Sequence, residues 1–378
     1  MKLLPHQQKF KDKNPDKALL VWEGGTGKTI AGAIWLKEGR DDDALVICPK
    51  RVVKKWQETL KQWGAKATVL SKENFKKIPI KIWSAIVCDE ADEFASPLFT
   101  KNRSALSEHL YRTIKLKDVP VLLLTATPIR SNPYNLHTLL CFMNYYVDWK
   151  KWRETFFSLE FRPYLPRPAW LPRSNWQKLI RPTLEKHAQI VLLKDCVDYL
   201  PPVTEECVLT HPGAFKGSLK WSDEASFVDE HRFEQTDKHK SILEIVKEYR
   251  KVLVVAYFVE QVKELEKQLS KERQTFVIHG GIKDQEQIIK DASESDECFF
   301  IVQANIGSGF DADTFSVVIF ASLSYGVRNL VQMKYRVRRI HNLHPVRYIF
   351  LLGGRCDKIV KKTVDSGRDF IPSEYIRN

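Results

Sequence analysis

Three glycines stand just ahead of a lysine and a threonine in Trp22-Glu23-Gly24-Gly25-Thr26-Gly27-Lys28-Thr29. Glycines let a backbone close around a polyphosphate with its N–H groups turned inward. Lys28 can reach the outer phosphates, the Thr29 hydroxyl can ligate Mg2+, and a helix starting here would add the positive end of its dipole. Gly24, Gly25, Thr26, Gly27, Lys28 and Thr29 are thus candidates for binding ATP. Trp22 occupies the place of the usual first glycine of G-x-x-x-x-G-K-T, so the strict pattern is not met.

A second group of chemically able residues closes the segment Ala85-Ile86-Val87-Cys88-Asp89-Glu90-Ala91-Asp92. An apolar strand ending in Asp-Glu sets two carboxylates at the C-terminal edge of a sheet, where open α/β folds bind ligands. Acids after a strand also cap helices. Following a phosphate loop, they point to Asp89 as a Mg2+ ligand and Glu90 as the group that orients or deprotonates water. The chemistry these residues share is hydrolysis of a phosphoanhydride.

Strands must carry both groups. Apolar runs of strand length recur at Ala18–Trp22, Ala44–Cys48, Trp83–Cys88 and Val119–Leu124. They return at Val252–Phe258, Thr275–Ile278, Cys298–Val302, Val317–Phe320 and Tyr348–Leu352. Continuous rather than alternating apolar runs mark strands buried on both faces, as in parallel sheets flanked by helices. Helical patterns between them (Thr29–Lys37, Val52–Trp63, Val259–Lys271) predict two doubly wound α/β units. The expected division is residues 1–185, a connector with the start of the second domain at 186–240, and 241–378. Between Tyr146 and Pro202, clustered Trp, Arg and Pro interrupt the pattern, and prolines exclude a long helix over Pro163–Pro172.

Other short motifs fall in order around the first two. Thr125-Ala126-Thr127-Pro128-Ile129-Arg130-Ser131-Asn132 follows the acidic box, Leu4-Pro5-His6-Gln7 precedes the loop, and Ile47-Cys48-Pro49-Lys50 lies between. The second half carries His279-Gly280-Gly281, Gly307-Ser308-Gly309-Phe310-Asp311 and Gln332-Met333-Lys334-Tyr335-Arg336-Val337-Arg338-Arg339-Ile340. This ordered set resembles motifs I to VI of superfamily 2 helicases, and its details are similar to the Swi/Snf-type ATPases. The resemblance implies tandem RecA-like domains with ATP in the cleft between them. It implies that Gln7 reads the adenine, that Gly309 and Asp311 lie near the nucleotide, and that Thr125 and Thr127 couple nucleotide state to the nucleic-acid groove. It also implies a catalytic role for Gln332, Arg336 and Arg339. The two arginines, three residues apart on an expected helix, would share one face and neutralise charge on the γ-phosphate.

Formal net charge is +13, from 60 Lys and Arg against 47 Asp and Glu. Such an excess favours a polyanion, either nucleic acid or an acidic membrane surface. Lys50, Arg51, Lys54, Lys55 and Arg130 are the candidate phosphate contacts, able to grip a backbone without reading bases. Trp149, Trp152 and the Arg162–Arg173 segment could stack on bases, but tryptophans at helical spacing more often pack on their own domain. Seven scattered cysteines without a C-x-x-C pair read as core residues in a reducing compartment. The N-terminus lacks a signal-peptide pattern and no apolar run spans a bilayer, so a soluble intracellular monomer, cytoplasmic or nucleoid-associated, is expected. The expected activity is ATP-driven translocation on duplex or branched DNA. An RNA helicase of the same superfamily and a non-catalytic nucleic-acid-binding scaffold are the alternatives.

Overall fold

In a strand whose every residue is apolar, successive side chains enter opposite cores, so both faces of the sheet must be covered. The computed structural model has this arrangement twice. It describes residues 2–100, 103–129, 132–161, 167–197, 199–210, 220–282, 284–306, 310–339, 342 and 344–375. The chain forms two compact units, Met1–Tyr199 and Leu200–Asn378.

The first unit contains β1 (Lys17–Trp22), β2 (Leu45–Cys48), β3 (Thr68–Ser71), β4 (Ile86–Asp89), β5 (Val121–Thr125), β6 (Phe157–Glu160), β7 (Ala169–Pro172) and β8 (Ala188–Val191). Six of them form one parallel sheet in the order β3-β2-β4-β5-β1-β8. Along β2, Leu45 and Ile47 join one core while Val46 and Cys48 join the other. β6 and β7 pair antiparallel, apart from that sheet.

The second unit contains β9 (Val203–Leu209), β10 (Lys251–Ala256), β11 (Thr275–Ile278), β12 (Cys298–Gln303), β13 (Val317–Phe320) and β14 (Val346–Leu352). They form a parallel sheet in the order β11-β12-β10-β13-β14-β9. Here Leu253 and Val255 face one core and Val252 and Val254 the other. Two mixed α/β units with six-stranded parallel sheets are the predicted fold class.

Residues 186–240, expected to hold the connector, contribute strands to both units: β8 lies at the edge of the first sheet and β9 at the edge of the second. Chain passes from one unit to the other between Tyr199 and Leu200. Trp152 and Trp176 are buried in the first unit's core, and Trp149 packs against it. The tryptophans at helical spacing therefore pack on their own domain. All seven cysteines are free thiols and six are buried, in keeping with a packing role. No described helix is long and apolar enough to cross a membrane.

The second unit also buries a polar network that the sequence does not announce. Lys238 is wholly buried, and its ammonium lies 2.6 Å from Asp357 Oδ2 while donating to the carbonyls of Ala321 (2.7 Å) and Leu351 (2.9 Å). His231 Nε2 lies 3.0 Å from Asp357 Oδ1. Burial would raise the Asp357 carboxyl, but Lys238 and His231 pull it well below the usual carboxylate range.

Candidate nucleotide site

Trp22 ends β1, and the chain turns through Glu23–Gly27 into the helix Lys28–Lys37. Gly25 and Gly27 hold φ at 86° and 82°, the left-handed region in which a Cβ is penalised. A Cβ on Gly27 would also stand 2.2 Å from the Gln7 side-chain nitrogen. The turn therefore requires glycine for its backbone and for the packing behind it. Gly24 and Thr29 are half-buried, at the start of the turn and in the first helical turn.

Several side chains hold the loop. Gln7 Nε2 donates to the carbonyls of Thr26 (3.4 Å) and Gly27 (3.2 Å), while its Oε1 accepts from the Leu4 N–H at 2.9 Å. His6 Nε2 lies 2.8 Å from the Thr26 carbonyl. The Thr26 hydroxyl donates to the Glu23 carbonyl at 2.8 Å. Lys28 Nζ donates to the carbonyls of Trp22 (2.7 Å) and Glu23 (3.2 Å). Gln7 is thus engaged by the loop backbone, and these bonds compete with the adenine contact implied for it.

β4 brings Asp89 to the same edge of the sheet. Asp89 is buried, and burial together with the Glu90 charge pushes its carboxyl up to about 6. The Trp56 indole, the Lys28 charge and the Glu90 N–H act the other way. Lys28 and Asp89 therefore sense one another across the site. Trp56 Nε1 donates to Asp89 Oδ2 at 2.9 Å, and the Glu90 N–H donates to Oδ1 at 3.0 Å. Glu90 takes φ 52°, unusual for a residue with a Cβ and costing on the order of 1–2 kcal/mol. The bond from its N–H to Asp89 helps hold that turn.

Thr125, at the end of β5, donates its hydroxyl to buried Asp92 at 2.9 Å and accepts from the Thr127 N–H at 3.0 Å. The two threonines are thereby joined to the acidic box. Lys50 and Arg51 lie in a short 3-10 turn, Lys50–Val52, and Lys54 and Lys55 open the helix Val53–Trp63. All four are exposed, while Trp56 of the same helix points into the core. Arg130 lies outside the described residues.

In the second unit, Gln332 is buried and Arg336 half-buried on the helix Val327–Val337. That helix ends before Arg339, which corrects the expectation that both arginines share a helical face. They come together differently. Arg336 Nη1 donates to the Phe310 carbonyl at 2.9 Å, and Arg339 pairs with the Asp311 carboxylate. Both arginines are therefore fastened to one stretch of chain. Gly309 lies outside the described residues.

Sequence reasoning missed Asp92 as the partner of Thr125, and Trp56 as the donor to Asp89. It also missed Gly32, where a Cβ would stand 2.6 Å from the Trp56 ring. Gly32 lets the helices Lys28–Lys37 and Val53–Trp63 close enough for that indole to reach the acid. Only the position of Trp56 after Pro49-Lys50 carried a signal.

Residues 67–256 match the SNF2-related domain, and residues 237–341 match the helicase conserved C-terminal domain. The first match begins beyond the phosphate loop. No curated protein matches the chain. Among solved structures, the helicase domain of Hef from Pyrococcus furiosus is similar over 96% of this chain and 100% of that one, with 13% identity and a TM-score of 0.53. The SWI2/SNF2 ATPase core of Sulfolobus solfataricus, in complex with dsDNA, is similar over 99% of this chain and 92% of that one, with 16% identity and a TM-score of 0.44. The two family matches together run from residue 67 to residue 341, covering strands of both units, and the chain belongs to the SNF2-related family of superfamily 2 helicases, which are nucleic-acid-dependent ATPases.

Proposed function

We propose that the chain hydrolyses ATP to move along or remodel duplex or branched DNA. The observation that carries the reading is the meeting of Lys28 with Asp89 and Glu90 at one sheet edge, beside a glycine loop whose turn depends on left-handed backbone. Gly24, Gly25, Thr26, Gly27, Lys28 and Thr29 would hold the phosphates, and Glu90 would orient the attacking water. Gln7 supports the loop. Gln332, Arg336 and Arg339 are the second unit's candidates for the catalytic set, with Asp311 paired to Arg339; Gly309 is a candidate from sequence alone.

Asp89 and Thr29 fit Mg2+. Burial and the Glu90 charge raise the Asp89 carboxyl more than Lys28 and the Trp56 indole lower it, and a divalent cation would supply further positive charge there. Bound there, Mg2+ would neutralise phosphate charge. The residues' own work is to position: Trp56 orients Asp89, and Lys28 faces the phosphates.

Net charge of +13 and the exposed Lys50, Arg51, Lys54 and Lys55 support a polyanionic track, with Arg130 adding to them in sequence. The Swi/Snf-type character of the motifs favours duplex DNA over RNA. The test is ATP hydrolysis by the full chain with single-stranded, duplex, forked and four-way DNA, with RNA alongside. Stimulation by duplex or branched DNA, abolished by Lys28→Ala, is expected. Stimulation by RNA alone would assign an RNA helicase, and no stimulation by any of them would leave a scaffold.

A further inference from the structure

The hairpin of β6 and β7 is the one antiparallel pairing among the described residues, and it carries an apolar face outward. Alternate residues of a strand share a face, so Phe157 and Leu159 line up along β6, and Phe161 follows directly after the strand. Phe157 is fully buried, Leu159 is 57% exposed and Phe161 is 71% exposed. The hairpin is therefore rooted in the core and leaves it with large apolar side chains in solvent. Opposite Leu159 stands Trp170, covered by the Arg153 guanidinium 4.5 Å from its ring centre.

The surroundings indicate what this face meets. Over residues 145–190 the sequence holds nine Lys and Arg against four Asp and Glu, a denser positive excess than in the chain as a whole. Lys150, Lys151, Arg167 and Arg173 are exposed. Apolar and aromatic side chains set among cations suit nucleobases flanked by phosphates, because every base offers a flat face for stacking. An apolar protein surface would gain nothing from that charge.

The root of the hairpin is tied to the acidic box. Phe157 stacks on Tyr134 with ring centres 4.1 Å apart. Tyr134 opens the helix Tyr134–Phe142, from which Asn135 donates to the Ala95 carbonyl (2.6 Å) and Thr138 to the Ser96 carbonyl (2.8 Å). Both carbonyls lie just past the Asp89-Glu90-Ala91-Asp92 segment.

Resting on the duplex-DNA reading above, we infer that Leu159 and Phe161 form a wedge that stacks on the exposed base pair where a duplex forks or branches. The preferred substrate is then a junction rather than continuous duplex. Its test compares the full chain with a Leu159→Ser/Phe161→Ser variant, both side chains being exposed and so dispensable for folding. Binding is titrated on a fork and on closed circular duplex, which has no junction. The variant should lose about 10-fold in fork affinity, the size of a lost base stack, and keep its affinity for the circle. Phe161→Trp, which retains a flat ring, should bind forks like the parent. Equal affinities of parent and variant for the fork would overturn the wedge, as would equal losses on both DNAs. Light scattering that finds a parent dimer and a monomeric variant would also overturn it, by assigning the face to a second copy. A parent that binds neither DNA fails earlier, at the duplex-DNA reading itself.

Discussion

At the scale of single residues, Asp89 depends on a neighbour remote in sequence. Trp56 supplies one of the two described hydrogen bonds to its carboxylate, and Gly32 provides the space for that ring. Trp56→Phe keeps most of the packing and removes the donor. Hydrogen bonds to charged groups contribute about 1.5–3 kcal/mol, and partners behind metal ligands about 10–100-fold in affinity or activity. ATPase titrations against Mg2+ should show half-saturation raised by about 10-fold in this variant, beside a fall in melting temperature of about 2–4 °C per kcal/mol lost. An unchanged Mg2+ dependence would remove Trp56 from the site. The residue types of the site were legible because glycines, Lys28, Asp89 and Glu90 lie in short contiguous motifs. Their supporting contacts were not: Gln7 and Asp92 stand in readable motifs, but the bonds of Gln7 to the loop, of Asp92 to Thr125 and of Trp56 over Gly32 to Asp89 span folded distance.

At the scale of elements, the strands found from sequence are those with continuous apolar runs. β3, β8 and β9, each an edge strand of its sheet, escaped notice, as did the separate pair β6 and β7, whereas the edge strand β11 was found by its apolar run. An edge strand covers one neighbour and keeps polar residues, as the alternating exposure along β9 shows. The helix Tyr134–Phe142 carries a pH-sensitive element in His137, whose buried ring is held down to about 4 by loss of hydration. In the unfolded chain it titrates near its usual 6.5, so the unfolded state binds the proton first as pH falls. Stability of the first unit should be full above that value and decline by roughly 3 kcal/mol down to pH 4. His137→Gln should flatten this part of the profile in denaturant melts at stepped pH. In the second unit, Lys238→Met would leave Asp357 without its ammonium partner and two carbonyls without a donor. Breaking one side of a buried ion pair costs about 3–5 kcal/mol. Urea unfolding should therefore show the second unit melting earlier, with the first unit's transition unmoved.

At the scale of the whole molecule, charge and connectivity matter more than any single contact. With +13 net charge, binding to DNA should weaken steeply as salt rises, because each neutralised phosphate releases counterions. Replacing Lys54 and Lys55 together by alanine should weaken binding on all DNA sequences alike and flatten the salt dependence by about two contacts. A variant with the parent's salt slope would place the track elsewhere. The two-unit plan was readable in the repeated strand–helix rhythm. The point of division was not, because β8 lies beyond the last strong apolar run of the first half.

That late strand has a mechanical consequence. β8 runs beside β1 in register from Leu19 opposite Ala188 to Trp22 opposite Val191. At its end, Glu23 N–H donates to the Val191 carbonyl (3.0 Å), and the Glu23 carboxylate accepts from the Leu193 N–H (2.7 Å). The first residue after β1 thus grips the tether that leads out of the first unit. Tension on that tether would reach the phosphate loop through these two hydrogen bonds, with only the 3-10 turn Leu193–Asp195 following them. Glu23→Ala should leave resting hydrolysis near the parent's while blunting its acceleration by DNA, as a slipped clutch lets an engine idle without turning the wheels.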